Sequence, residues 1–125
     1  MGEHSKNFIP IEIDLLNSNK IVECSKMLKD TNRIPSLFIL NAAIGIYEKD
    51  GILNMKEHES VFKINYFGIM YWISEWLAYA LNCEHKITFV GLSSLAAYAP
   101  DPHFSSYVPP KMQHDFYQNK LPKIG

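Results

Sequence analysis

Charge of one sign is what this chain lacks most clearly. Twelve Lys and Arg residues stand against thirteen Asp and Glu, a formal net charge of −1 over 125 residues, and the pI lies near 6.5. That balance leaves no electrostatic footprint for nucleic acid or for an anionic membrane as the main partner. Cysteine is scarce too. Cys24 and Cys83 lie far apart, and neither they nor the five histidines have partners at metal-ligand spacing. Reduced thiols in an intracellular setting are therefore expected, not a disulfide or a metal site. The opening MGEHSKNFIP has no apolar core and does not read as a secretory signal. The most apolar stretch, residues 57–81, is interrupted by Lys63, Asn65, Ser74 and Glu75, which argues against a membrane span. A cytoplasmic protein is the default expectation.

What is present is enough apolar material for a core. Hydrophobic residues make up 47% of the chain, and one domain over residues 1–125 is expected. Residues 1–6 are polar and read as a frayed end. Residues 8–15 alternate apolar with polar and read as a strand, with Pro10 confining it to an early or edge position. Asn17-Ser18 is an N-cap candidate for a helix whose stripe is Ile21, Cys24, Met27 and Leu28, ending near Asn32 ahead of Pro35. Residues 36–40 form an apolar run without alternation, which suggests a strand covered on both faces. A polar loop with a turn at Asp50-Gly51 follows, and then a long helix over about 57–81. That helix is apolar nearly all round, so burial on more than one side is expected.

The rest of the chain is organised around residues 86–112. An apolar, β-branched run, Ile87-Thr88-Phe89-Val90, reads as a buried strand and breaks into Gly91-Leu92-Ser93-Ser94. A proline-punctuated loop leads to Ser106-Tyr107-Val108-Pro109-Pro110-Lys111. A phenol and an ammonium four residues apart share a face if that segment is helical. A cation beside a phenol favours the phenolate, and a hydroxyl just past a strand end, in Ser94, can converge on the same spot. This outlines a proton-transfer site. Pro109 and Pro110 complicate it. Each disfavours helical geometry at the residue before it, and an extended segment would carry Tyr107 and Lys111 apart. His103, in the preceding loop, is best read as a solvated histidine.

At these residues the sequence resembles the short-chain dehydrogenase/reductase family, whose signature is a serine after the fifth strand and Tyr-x-x-x-Lys 13 residues later. Ser94, Tyr107 and Lys111 match both spacings. Leu40-Asn41-Ala42-Ala43 is similar to the family's Asn-Asn-Ala-Gly segment, keeping the second asparagine and the small pair. Lys63-Ile64-Asn65-Tyr66-Phe67-Gly68 resembles its Val-Asn-x-x-Gly segment. The resemblance implies an α/β fold, a partial doubly wound Rossmann-like parallel sheet of about three strands with three helices. It implies NAD or NADP as cofactor and hydride transfer to or from an alcohol/carbonyl substrate. Tyr107 would be the general acid/base. Lys111 would favour the phenolate and hold the nicotinamide ribose, Ser94 would orient the carbonyl oxygen, and Asn65 would complete the proton relay through a water. Asp14, before Leu15, would lie against the adenine, and Asn41, Ala42 and Ala43 beside the cofactor. The plainer readings are a turn aspartate at Asp14, a strand cap at Asn41 with core alanines after it, and a satisfied buried amide at Asn65. Gly68 would allow another segment to approach closely. By the same resemblance, Tyr71, Trp72, Trp76 and Tyr79 on the 57–81 helix would face a second subunit of a homo-oligomer, with ordinary core as the alternative for each.

The resemblance covers the middle of a family member. Family members open with a Gly-x-x-x-Gly-x-Gly turn whose amides cradle the cofactor pyrophosphate. None of the six glycines here forms it. In the order 3-2-1-4-5-6 the first strand of this chain would be third and the next fourth, with two strands missing between them. The expectation is a chain truncated at both ends. Its own turnover is expected to be weak or absent, and the alternative is a non-catalytic remnant serving as a subunit-association module.

Overall fold

The first regular element is set by its caps. In the computed structural model, which describes residues 8–48, 52–83, 85–99, 102–104, 107 and 109–111, helix α1 spans Ser18–Asp30, with the Asn17 side chain accepting from the Asn19 amide. It ends in a left-handed residue, Asn32 at φ 54°. There the Asn32 amide reaches Lys29 O at 3.0 Å and the Arg33 amide reaches Leu28 O at 2.8 Å. This paired closure satisfies carbonyls that the helix end would otherwise leave open. The expected start and stop are both observed.

Strands β1 (Leu37–Leu40) and β2 (Thr88–Gly91) pair in parallel, Leu37 opposite Thr88 and Leu40 opposite Gly91. The sheet among the described residues holds these two strands. Phe38, Leu40 and Phe89 face the helices and are partly covered, whereas Leu37, Ile39 and Val90 on the opposite face are exposed, Ile39 by 63%. The non-alternating run of β1 thus corresponds to one covered face, not the two expected of it. Residues 8–14 correct a second expectation, because they form no strand. A strand needs a neighbouring ladder for its main-chain groups, and the segment pairs with neither β1 nor β2. Phe8 is 75% exposed, while Ile9 and Ile11 line a shallow cleft with Leu28 and Pro35 beside the end of α1.

The long helix runs from Met55 to Cys83 in three parts: α2 (Met55–Phe62), a π-helical turn (Lys63–Gly68) and α3 (Ile69–Cys83). Asn54 opens it by accepting from the Lys56 and Glu57 amides, and Glu57 in the first turn suits the positive end of the helix dipole. The core forms where α3 meets α1 and the sheet. Trp76 is fully buried, donates Nε1–H to the buried Ser25 hydroxyl at 3.1 Å, and packs its ring 5.4 Å from that of Phe38. Trp72 also packs on Phe38, and Phe38 stacks on Phe89 across the sheet. Lys29 closes the α1–α3 seam. Its ammonium donates to Glu75 O at 2.9 Å and lies 5.0 Å from the Trp76 ring, a favourable cation–π placement. Trp76 is therefore core, contrary to the interface role open to it from sequence, and Trp72 and Tyr79 are partly covered. Phe67, Tyr71 and Leu81 are exposed on the far side of the same helix.

The expected frayed residues 1–6 and the turn at Asp50-Gly51 lie outside the described residues. No helix among the described residues is long and apolar enough to cross a membrane, and those residues hold no group of three potential metal ligands. Cys24 is buried, Cys83 is exposed, and both are free.

Candidate active site

The site is built at the carboxyl end of the two parallel strands, where open α/β sheets present their chain ends to ligands. Beyond β1 the chain runs through Asn41, Ala42, Ala43, Ile44 and Gly45, and one side chain anchors that run. Asn65, fully buried in the π-helical turn, accepts from the Ile44 amide at 2.8 Å and donates to the Ile44 carbonyl at 2.7 Å. A strand-end residue that lacks a ladder partner thereby has both main-chain groups satisfied. The π turn displaces Asn65 from ordinary helical register, a distortion often found at functional sites. This use of the amide is the satisfied-amide reading, and it fixes the geometry of the whole 41–45 run.

Beyond β2 the chain carries the second half of the site. Ser94 caps the short 3-10 turn Leu95–Ala97, its hydroxyl accepting from the Ala96 amide at 3.2 Å. A second short turn, Pro102–Phe104, is tied to the first half of the site. The Glu48 amide donates to His103 O at 2.9 Å, and the Tyr47 ring stacks on His103 and meets Phe104 edge-on. His103 itself is exposed. The Tyr107 amide then donates to Phe104 O at 2.9 Å, which brings the phenol ring against Gly45, where the Tyr107 ring lies within 3.6 Å of the position a Cβ would take.

Pro109, Pro110 and Lys111 are helical. The prolines sit at the opening of this helix, where a missing N–H costs nothing, so Tyr107 and Lys111 stay together. The Lys111 ammonium lies 5.5 Å from the Tyr107 ring centroid and donates to Leu92 O at 2.9 Å. Lys111 is 3% exposed and Pro110 is fully buried. An ammonium has three donors, and one is committed here. Among the described residues no hydrogen bond joins the Tyr107 hydroxyl to Lys111 or Ser94. Tyr107 lines a cleft, Ser94 immediately precedes the lining residue Leu95 in sequence, and the Lys111 ammonium lies over the phenol ring.

Two clefts flank the 41–45 run. One, of about 460 Å³, has Ala43, Ile44 and Gly45 on one wall, Leu95, Ala96 and Ala99 on another, and Phe104 and Tyr107 across them. The other, of about 240 Å³, has Asn41 and Ala42 on one side and Leu15, Ile64 and Gly68 opposite. Gly68 is buried, and Leu15 Cβ lies 3.9 Å from where its own Cβ would stand. Here the segment before α1 crosses the helix closely, as expected for this glycine. Asp14 is exposed. Its Oδ1 accepts from the Leu16 amide at 2.9 Å and its carbonyl from the Asn17 amide at 3.1 Å, the turn role also open to it from sequence. The five consecutive residues 41–45 thus line both clefts in succession.

No protein-family model and no curated protein matches the chain. Solved structures do. A short-chain dehydrogenase from Leptospira borgpetersenii serovar Hardjo-bovis with bound NAD+ superposes with a TM-score of 0.88 at 18% identity, over 97% of this chain and 50% of that one. The fold is that of the short-chain dehydrogenases. Aldohexose dehydrogenase from Thermoplasma acidophilum superposes at TM-score 0.82 and 21% identity, covering 94% of this chain and 46% of that one. The 3-ketoacyl-(acyl-carrier-protein) reductase from Brucella melitensis, complexed with NADH, gives 0.77 at 13%, covering 89% and 48%. The chain spans about half the length of these dehydrogenases. It holds a partial doubly wound, Rossmann-like sheet with its helices, the α/β class expected from its motifs.

Sequence reasoning points to Ser94, Asn65, Tyr107 and Lys111 as candidates but does not single out three further parts of this candidate site. These are the Ile44 main chain that Asn65 grips, the Leu92 carbonyl that receives Lys111, and Gly45 and Phe104 flanking the phenol. Asn65 carried a signal, an asparagine deep in a helix. The other parts act through backbone or shape, which residue identity does not advertise.

Proposed function

We propose that this chain carries the proton-transfer half of a nicotinamide-dependent oxidoreductase site acting on an alcohol/carbonyl substrate. One observation carries the reading: a single run, 41–45, lines two clefts in succession, with the phenol of Tyr107 at the larger and the Lys111 ammonium 5.5 Å from that ring. That arrangement suits an elongated dinucleotide, its adenine toward Leu15, Asp14, Asn41 and Ala42 and its nicotinamide toward Ala43 and Tyr107. The relatives with bound NAD+ and NADH support this choice. NAD or NADP, when bound, supplies or takes the hydride.

The chain's own residues handle the proton and the orientation. Tyr107 donates its hydroxyl proton to the developing alkoxide of a carbonyl substrate, or accepts it from an alcohol. Lys111 holds its ammonium 5.5 Å from the Tyr107 ring, and the donors that no described residue takes are available to the ribose. Ser94 keeps its hydroxyl proton to hold the substrate oxygen, because the cap uses only its lone pair. Asn65 is a positioning residue that acts by holding Ile44. The described residues supply no glycine-rich phosphate cradle, so the affinity rests on the two clefts. The test is a calorimetric titration with NADH and NADPH. Micromolar binding is expected, with Tyr107→Phe leaving it within about threefold while abolishing any turnover; no binding by either nucleotide contradicts the reading.

A second reading has its own observation. Phe67, Tyr71 and Leu81 form an exposed apolar stripe on one helix, which suits a homo-oligomer contact through residues 57–81. In its non-catalytic form the chain is an association module, and sedimentation separates the two. A stable dimer without nucleotide binding favours the module, whereas nucleotide binding with or without a dimer favours the oxidoreductase site.

A further inference from the structure

Among the described residues, the cleft that holds Tyr107 has no charged wall. Leu95, Ala96, Ala99 and Phe104 form the side away from the 41–45 run, and among the described residues its only ionisable lining group is the phenol itself. Leu95 is 84% exposed, and Tyr98 beside it 77%, so the mouth of the cleft also presents apolar surface to solvent. Lys111, whose ammonium lies 5.5 Å from the Tyr107 ring, does not line the cleft. It is buried and bonded to Leu92 O. The His103 ring stacks on Tyr47 outside the lining.

We propose that this cleft selects an uncharged ketone or secondary alcohol with hydrocarbon or aryl substituents and rejects carboxylated or phosphorylated ones. The inference rests on the reading of Tyr107 as the proton donor to a carbonyl oxygen. An anionic substituent entering here gives up its hydration to walls in which no described residue is a cation, and such burial is costly without a partner. An aryl or alkyl substituent gains by leaving water, and the cleft volume falls in the ~300–1,000 Å³ range of small-molecule sites. The one ionisable side chain among the described lining residues, the phenol of Tyr107, matches a single carbonyl oxygen and nothing more highly charged.

The test compares acetophenone with phenylglyoxylate, which keeps the ring and carbonyl and replaces the methyl by a carboxylate. Saturation-transfer NMR on the full chain, with and without NADH, reads both ligands. Acetophenone is expected to bind at least about tenfold more tightly. Ala99→Arg, at an exposed position, is expected to raise phenylglyoxylate affinity by about tenfold or more; Leu95→Arg serves if the first variant loses its native circular dichroism. Equal or tighter binding of phenylglyoxylate by the unaltered chain overturns the proposal, as does failure of acetophenone to bind in either condition. The nucleotide titration keeps the two ideas apart. Acetophenone binding without nucleotide binding sinks the oxidoreductase reading and leaves the apolar cleft, and the reverse result does the opposite.

Discussion

The two faces of the β1–β2 sheet differ sharply although their residues do not. On one, Phe38 packs against Trp72 and Trp76 of α3 and stacks on Phe89; on the other, Leu37, Ile39 and Val90 are exposed. All these side chains are apolar, so composition alone marks both faces for burial. The difference shows that stability and site construction reside on the helix side. There α1 and α3 lock together through Ser25, Trp76 and Lys29, and Asn65 reaches from the same helix to fix the strand end. The open face contributes strand pairing and little packing.

Trp76→Ala strikes the covered face hardest. It removes a fully buried indole together with the Phe38 contact and the Ser25 hydrogen bond, and a loss of about 3–5 kcal/mol in urea unfolding is expected. A loss below about 1 kcal/mol would show that the two faces are energetically alike. Asn65→Leu is next. It strands the amide and the carbonyl of Ile44, at about 1–3 kcal/mol for each group left unpaired, and it should weaken ligand binding at the 41–45 run even where the protein stays folded. Unchanged binding would detach Asn65 from the site.

The cysteines probe the same contrast by pH. Burial pushes the Cys24 thiol above its ordinary value of 9.0, so the folded chain keeps a proton that the unfolded chain gives up. The stability linked to that thiol is present below pH 9.0 and is lost as pH rises through its elevated folded value. Iodoacetamide at mild alkaline pH should label exposed Cys83 well before Cys24; equal rates would mean that α1 is not held against α3. The smallest effect is expected from Ile39→Ser on the open face, within about 0.5 kcal/mol by urea unfolding. A loss comparable to that of Trp76→Ala would show that this face is covered in solution.

Much of the fold was legible because its signals are local. Asn17 caps where its side-chain oxygen reaches a first-turn amide, Asn32 closes α1, and the two apolar runs become the two strands; the cap at Asn54, by contrast, lies ahead of the expected helix start at about residue 57. The failures were non-local. Residues 8–15 alternate like a strand, yet a strand also needs a neighbour, which alternation cannot supply. The uncovered face of β1 is the same lesson, since a run of apolar residues records an affinity for cover and not its presence. At the site, Ser94, Tyr107 and Lys111 were found by residue type and spacing. The two prolines between Tyr107 and Lys111, which disfavour helix at the residues before them, start the helix instead. The grip of Asn65 on Ile44 depends on a π turn that only three-dimensional packing specifies.

The central claim is that residues 41–45 form one wall of a continuous nucleotide site ending at Tyr107. Amide chemical shifts recorded while NADH is titrated into the full chain test it most directly. Shifts concentrated at Asn41 through Gly45, at Leu15 and at Tyr107 are expected, saturating together. Shifts confined to the open face around Leu37, Ile39 and Val90, or none at all, would contradict it.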